Sequence, residues 1–249
     1  MTAFGPLCAR FEHADMPRAS DAEVLWYRDR LPRDAGSALE LMCGYGRLLL
    51  PLVEGGASVH GVDASAAMLA ECEAELARAE RSVPLFRQDI AELNLPFRYG
   101  AAFIAGGSFQ RLTDVDRARV ALARIRAHLI EPGLLLLDLY VPAERVQRIA
   151  APLVEVRSRP LADGSRIALR SETTMYPEAR LARTETRYVH RRGNDLLTEE
   201  SETLALTWYA PEDLAALVAE AGFRDISIGA SARDGGGGEG QAYSISARA

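Results

Sequence analysis

Between Ser37 and Tyr140 the chain repeats one unit: a short apolar run, a turn, then a segment whose apolar residues recur at helical spacing. The runs are "SALELM", "SVHGVD", "VPLFRQDI", "AAFIAGGS" and "GLLLLDLY". Between them, Met68, Leu69, Cys72 and Leu76 share one face of a helix that Ser65 is placed to cap. Ala118, Ala121, Leu122, Ile125 and Leu129 stripe another, predicted from about Asp116 to Leu129 and ended by Glu131-Pro132-Gly133. Strands joined by helical crossovers run parallel with helices on both faces, so this half of the chain is α/β. Pro51 falls four or five residues into the first helical segment, where its missing N–H predicts a short or irregular helix.

The flanking segments follow other rhythms. In "DAEVLWYRDRL", Val24, Leu25, Tyr27 and Leu31 keep helical spacing behind a capping Ser20 or Asp21, so the first stretch, 1–35, is expected to be a helical lid. The α/β core is expected over 36–150. From 151 to 209, "RIALRSETTMY", "LARTETRYVH" and "LTEESETLALTWY" alternate with period two, separated by turns at Asp163-Gly164, Pro177-Glu178 and Gly193-Asn194. That predicts an antiparallel insertion with one wet face. In the last stretch, 210–249, "PEDLAALVAEAG" opens with Pro211 at a first helical position, carries Leu214, Leu217, Val218 and Ala221 on one face, and stops at Gly222. "FRDISIGA" and "QAYSISARA" close the chain as a hairpin. The intervening "RDGGGGEG" joins strands with no helix after it, so it is expected to be a surface loop and not a phosphate cradle.

Composition narrows the partners. Of 249 residues 48% are hydrophobic, enough for one sizeable core, while a net charge of -6 and a pI near 5.4 argue against a nucleic-acid partner. Cys8, Cys43 and Cys72 have neither metal-like nor disulfide-like spacing, and His13, His60, His128 and His190 lie far apart, so no metal site is expected. No apolar run has the length of a bilayer span or the flanks of a signal peptide; a cytoplasmic protein without a membrane partner is the expectation.

In an open parallel sheet, ligands bind beyond the carboxyl ends of the strands, over the first strand-to-helix turn. Here that turn is Glu40 to Gly46. Its glycines admit a ligand close to the backbone, and the following helix offers free N–H groups. Gly44-Tyr45-Gly46-Arg47-Leu48-Leu49 has leucine where a dinucleotide fingerprint needs its third glycine. Asp63 ends the second strand in "GVDAS", where a carboxylate accepts ribose hydroxyls or, in the plainer reading, caps a helix.

Taken with "FRQDI" and "GSFQRL", the stretch "ALELMCGYGRLLLPLVEGGASVHGVDASAAML" resembles the class I S-adenosylmethionine-dependent methyltransferases, strongly over residues 36 to 140. The insertion followed by "WYAPEDLAALVAEAGF" resembles the small-molecule branch that includes glycine and amino-sugar N-methyltransferases. The resemblance implies a doubly wound, mostly parallel, seven-stranded Rossmann-like sheet with an antiparallel β insertion before the last helix. It implies S-adenosyl-L-methionine as cofactor and S-adenosyl-L-homocysteine as product. By it, Glu40 and the backbone of Met42, Cys43, Gly44 and Gly46 would hold the methionine part, and Asp63 the ribose. Ala64 and Met68 would lie against the adenine, Asp89 would accept from its amino group, and Ile90 would pack on the ring. Ala105 to Arg111, with Ser108 and Phe109, would border the sulfonium and the acceptor. Two positions depart from the pattern: Met42 replaces the first glycine, and Arg111 stands where histidine is frequent. Met42 is expected in ordinary β-region backbone, its side chain turned into the sheet.

Methyl transfer needs orientation and a suitable field more than chemistry from the protein. Arg111 and Gln110 are therefore expected to orient a polar acceptor, with Tyr140 as proton acceptor; the plainer reading of Arg111 is a solvated residue at a helix start. Tyr27 and Trp208 are candidate aromatic contacts for the acceptor, with core packing as the alternative for each. The expected activity is methylation of a small molecule, most naturally at nitrogen. A non-catalytic cofactor-binding module, an O-methyltransferase of a small phenol or carboxylate and, behind them, a nicotinamide oxidoreductase are the other readings.

Overall fold

The computed structural model describes residues 4–32, 36–232 and 240–249; apart from Gly240, the glycine-rich loop lies outside them. Two helices open the chain, α1 (Pro6–Asp15) and α2 (Asp21–Arg28). The repeating unit then gives β1 (Ala38–Leu41), α3 (Leu49–Glu54), β2 (Val59–Asp63), α4 (Ala66–Arg78), β3 (Leu85–Arg87), β4 (Tyr99–Ile104), α5 (Val115–Ala127) and β5 (Leu129–Pro142). A short α6 (Glu144–Gln147) leads to β6 (Leu153–Pro160), β7 (Arg166–Tyr176), β8 (Leu181–Arg192) and β9 (Asp195–Thr207). The chain closes with α7 (Pro211–Glu220), β10 (Arg224–Gly229) and β11 (Gly240–Arg248).

Seven strands form one sheet in the order β10-β11-β5-β4-β1-β2-β3. All its pairings are parallel except those of β11, which runs against both β5 and β10. Every residue of β1 is buried, as a strand covered by helices on both faces requires. Chain order reverses at β1, whose neighbours are β2 and β4, and this opens a crevice above its carboxyl end.

Local chemistry sets the element ends. The helix α3 begins only at Leu49, which puts Pro51 in its first turn, where no intrahelical donor is missed. Ser65 accepts from Met68 N–H to cap α4, and Asp114 caps α5. Glu131-Pro132-Gly133 does not end α5, as the sequence predicted; the helix stops at Ala127, and those residues belong to the start of β5. The imidazole of His128 makes that earlier stop, donating to Arg124 C=O at 2.7 Å and accepting from Leu95 N–H at 2.9 Å.

Strands β6-β7-β8-β9 form a separate antiparallel sheet. Its register lines side chains of one face into rows. Arg157, Leu169, Tyr188 and Glu200 make the first row; Glu155, Ser171, Thr186 and Glu202 the second. Leu153, Thr173, Thr184 and Leu204 make the third, then Met175, Ala182 and Leu206 the fourth. This face is acidic and polar at one end and apolar at the other.

The helix α1 is not among the elements expected from sequence periodicity, although Pro6 at its first position is a signal for it. Gly5 gives it no side-chain cap. The second sheet does so instead: Glu200 accepts from Leu7 N–H at 2.9 Å and Cys8 N–H at 3.3 Å, and Glu202 from Phe4 N–H at 2.8 Å. Carboxylates are favoured at a helix N-terminus both as acceptors and by the dipole. Leu7, Cys8 and Phe11 then pack with Met68, Ile167, Leu169 and Tyr188, tying α1 to α4 and to the second sheet. We predict that Glu200→Ala destabilises the docked α1 by about 1–2 kcal/mol. Faster amide exchange confined to residues 4–15 would reveal it; unchanged exchange there would show that the cap contributes nothing.

Candidate active site

The loop after β1 alternates left-handed and ordinary backbone: Met42 has φ 56, Gly44 φ 58 and Gly46 φ 84. The expectation of β-region backbone at Met42 is thus corrected. The position favours glycine because a side chain there costs roughly 1 kcal/mol or more in the left-handed region. Met42 packs against the core cluster that includes Leu41, Ile104 and Phe109, and the residue also borders two cavities. At Gly46 a Cβ would lie 2.7 Å from the sulfur of Cys72, so the loop touches α4 there.

Two buried carboxylates flank the loop. Asp63 accepts from Gly44 N–H at 2.9 Å on one oxygen and from Ser65 N–H at 2.8 Å on the other, which leaves each oxygen a further lone pair on a residue that lines the crevice. Glu40 has an oxygen with no hydrogen-bond partner, and burial pushes its carboxyl up to about 8 despite the opposing charge of Arg47. Arg47 is held by Glu23 of α2 through two bonds of 2.6 and 2.7 Å. Tyr45 O–H donates to Met16 C=O at 2.7 Å and Ala19 N–H to Arg47 C=O at 2.9 Å, so the chain between α1 and α2 is stitched to the same loop.

Three cavities meet at Arg111 and Leu204. The first, of 460 Å³, is bordered by Glu40, Cys43, Gly44, Met68, Ala105 and Ser108, and extends to Glu12 and Glu202 under α1. The second, of 380 Å³, has Asp63, Ala64, Asp89 and Ile90. The third, of 720 Å³, lies between the ends of β4 and β5 and the apolar end of the second sheet, with Tyr140 and Trp208 in its wall.

Several anticipated contacts fall elsewhere. Tyr27 borders none of these cavities; it is fully buried, its ring 5.1 Å from Phe103 and 4.8 Å from Trp26. Phe109 is likewise core, 6.2 Å from Tyr209, because it faces α5 and α7. Met68 borders the Glu40 cavity and not the one holding Asp89 and Ile90. The Gln110 amide is committed to backbone: it donates to Tyr140 C=O at 2.8 Å and Thr207 C=O at 2.9 Å and accepts from Tyr140 N–H at 2.9 Å. It spaces β5 from β9 and has no donor left to orient an acceptor.

Arg111 is not a solvated helix-start residue. Its guanidinium sits 4.2 Å over the Phe4 ring, with Asp63, Glu12 and Glu202 as the nearest acidic groups, and burial lowers its pKa. Glu12 and Glu202 were not anticipated from the sequence. Burial raises Glu12, while Glu202 also accepts from Tyr188 O–H at 2.9 Å. The alternation of "EESETLAL" carried the signal for Glu202, since it puts Glu200, Glu202, Leu204 and Leu206 on one face. Among the described residues no cluster of histidine, cysteine and carboxylate is placed to hold a metal, and no helix is long and apolar enough to cross a membrane.

This strand order, with an acid on each of the first two strands and a crevice at the reversal, is what known folds can be compared on. Residues 38–133 match the family of methyltransferase domains. The cypemycin N-terminal methyltransferase of Streptomyces sp is 32% identical over 122 residues, 49% of each chain. The chain spans about two fifths to half the length of the curated relatives it matches. Among solved structures, the sugar N-methyltransferase KedS8 from Streptoalloteichus sp superposes with a TM-score of 0.77 at 22% identity, covering 98% of this chain and 94% of its own. S-adenosylmethionine-bound CalS10, an amino pentose methyltransferase from Micromonospora echinaspora, gives 0.70 at 22% identity, covering 100% and 99%. The resemblance to class I methyltransferases and the doubly wound sheet are borne out.

The loop geometry yields a paired prediction. Gly46→Ala, which meets Cys72 and must hold a positive φ, should lose roughly 2–3 kcal/mol of stability. Met42→Gly, which relieves the left-handed position but empties some packing, should stay within about 1 kcal/mol of the parent. Denaturant titration of the two variants checks both.

Proposed function

We propose that the chain is an S-adenosylmethionine-dependent methyltransferase acting on a nitrogen of a small molecule. The unpartnered oxygen of buried Glu40, across the left-handed loop from Asp63, carries the reading. A buried carboxylate oxygen without a donor is costly, and an ammonium group in the first cavity would satisfy it. The free lone pairs of Asp63 suit a ribose diol, and Asp89 with Ile90 forms a polar edge beside an apolar floor for adenine. Cys43 and Gly44 contribute backbone, and Ala105 and Ser108 border the sulfonium end. When bound, the cofactor supplies a methyl group already activated on sulfur.

The remaining work is positioning and proton control. An amine is nucleophilic only when neutral. The half-buried cation of Arg111 beside the acceptor nitrogen disfavours the ammonium form, so the amine gives its proton to solvent and enters neutral. The Tyr140 hydroxyl near the end of β5 accepts a hydrogen bond from the amine N–H and so orients it. Gln110 acts through others, fixing the backbone of Tyr140 and Thr207 on either side of the acceptor space. In this reading the chain comprises an N-terminal lid, an α/β core, a β insertion that covers the acceptor and a closing unit, divided near 35, 150 and 209.

Glu40 gives the cofactor half of this proposal a pH signature. Its folded-state pKa is raised from the ordinary 4.5 to about 8, so the neutral acid stabilises the free protein at low pH, and that contribution is lost as pH rises through the window. Binding an ammonium requires the carboxylate. Cofactor affinity should therefore rise as pH approaches 8, with proton release on binding, and Glu40→Gln should abolish the release. Calorimetry in buffers of different ionisation enthalpy reads this; binding with no proton release in the parent would remove Glu40 from the site.

Arg111 gives the acceptor half its own. Arg111→Ala should move the pH–rate profile for an amine acceptor to higher pH and lower turnover at neutral pH by about tenfold or more. An unchanged profile and rate would end the assignment.

A further inference from the structure

We propose that the methyl acceptor is an amine carried on a bulky apolar, ring-bearing scaffold, and that the scaffold occupies the cavity between Tyr140, Trp208 and the apolar end of the second sheet. The inference rests on the methyltransferase reading and specifies what that site accepts.

The inner face of the second sheet changes character from row to row. Over the loop that follows β1 its inner face presents Ser171, Thr186 and Glu202; two rows further on it presents Met175, Ala182 and Leu206. The polar rows border the first cavity and the apolar row the third, so the face divides its lining between them. Thr173 and Thr184 at the divide bond each other at 2.8 Å, which satisfies their hydroxyls without a ligand. Leu139, Tyr140, Val146 and Ala242 line the rest of the cavity, and Trp208 extends the apolar row just past the end of β9. At 720 Å³ the space has the size of a site for a multi-ring molecule.

Charge separates this acceptor from a nucleotide-linked one. A diphosphate is held by arginine or lysine forks, or by helix N-termini. Among the described residues lining the cavity, Arg111 and Asp138 are the charged ones. Arg111 stands at its inner end, where the three cavities meet, and Asp138 accepts from Ser231 O–H. The deep end is polar and the body apolar, which matches a molecule with one amino group and an aromatic or alicyclic frame. Buried apolar area on Trp208 and the leucines then supplies affinity, and the amine is delivered toward Gly106 and Arg111.

Calorimetry on the full chain with saturating S-adenosylhomocysteine tests this, with a naphthylalkylamine, a free amino sugar and thymidine diphosphate as probes. The naphthylalkylamine should bind at least about tenfold more tightly than either other probe, as expected where apolar contacts discriminate. Leu206→Asp should weaken it by about tenfold or more, by setting a charge against the ring. Met175→Ala, which only empties space, should weaken it a few-fold with S-adenosylhomocysteine affinity unchanged, so the proposal does not depend on the charged variant folding. Tighter binding of thymidine diphosphate or the amino sugar, equal binding of all three, no binding of any, or indifference to both substitutions would overturn the acceptor assignment. Failure to bind S-adenosylhomocysteine would instead overturn the methyltransferase reading beneath it.

Discussion

The carboxylate of Asp63 holds the crevice together. It sits at the end of β2, buried, and accepts one backbone N–H from the loop after β1 and one from the first residues before α4. A buried charge without donors would be costly, and two loops whose N–H groups point inward at a reversal of strand order would be equally so. Each solves the other's problem. From that joint follow the left-handed turn at Met42 and Gly44, the contact of Gly46 with Cys72, and the exposure of Glu40 to the same space.

What the sequence disclosed was whatever repeats or caps. The parallel strands, the delayed helix around Pro51, the Ser65 cap and the last helix were legible because periodicity and single-residue chemistry act locally. The cofactor-side acids were legible because they stand at strand ends. Contacts made by partners far apart in the chain were not. Gln110 looks like an available polar side chain until β5 and β9 are brought to either side of it. Tyr27 looks like a lid aromatic until Phe103 of β4 is placed beneath it. The stop of α5 at Ala127 depends on the His128 ring reaching Leu95, and no helix-ending residue there announces it.

The N-terminal segment is part of the site's construction. One of its helices is capped by carboxylates almost 200 residues away, the other holds Arg47 through Glu23, and the turn between them bonds the loop after β1. Helix capping normally comes from the residue just before the helix. Here it comes from the second sheet, and Glu12 of α1 and Glu202 of β9 line the first cavity together. The contacts at the start of this helix also wall the pocket, since Phe4 and Glu202 belong to both.

Strand β9 gives that coupling a further reach. Its inner face carries, in order, the two acids that receive α1 and the two leucines that wall the apolar cavity. A slip of two residues against β8 would keep every side chain on its own face and so violate no rule of alternation. It would nonetheless carry a carboxylate into the position of a leucine and leave the helix without its acceptors. The irregularity between His190 and Arg191 and the Gln110 clamp at Thr207 pin the strand near its two ends. One alignment of two strands therefore acts as a single dial, setting how the pocket is shut and what chemistry it will admit.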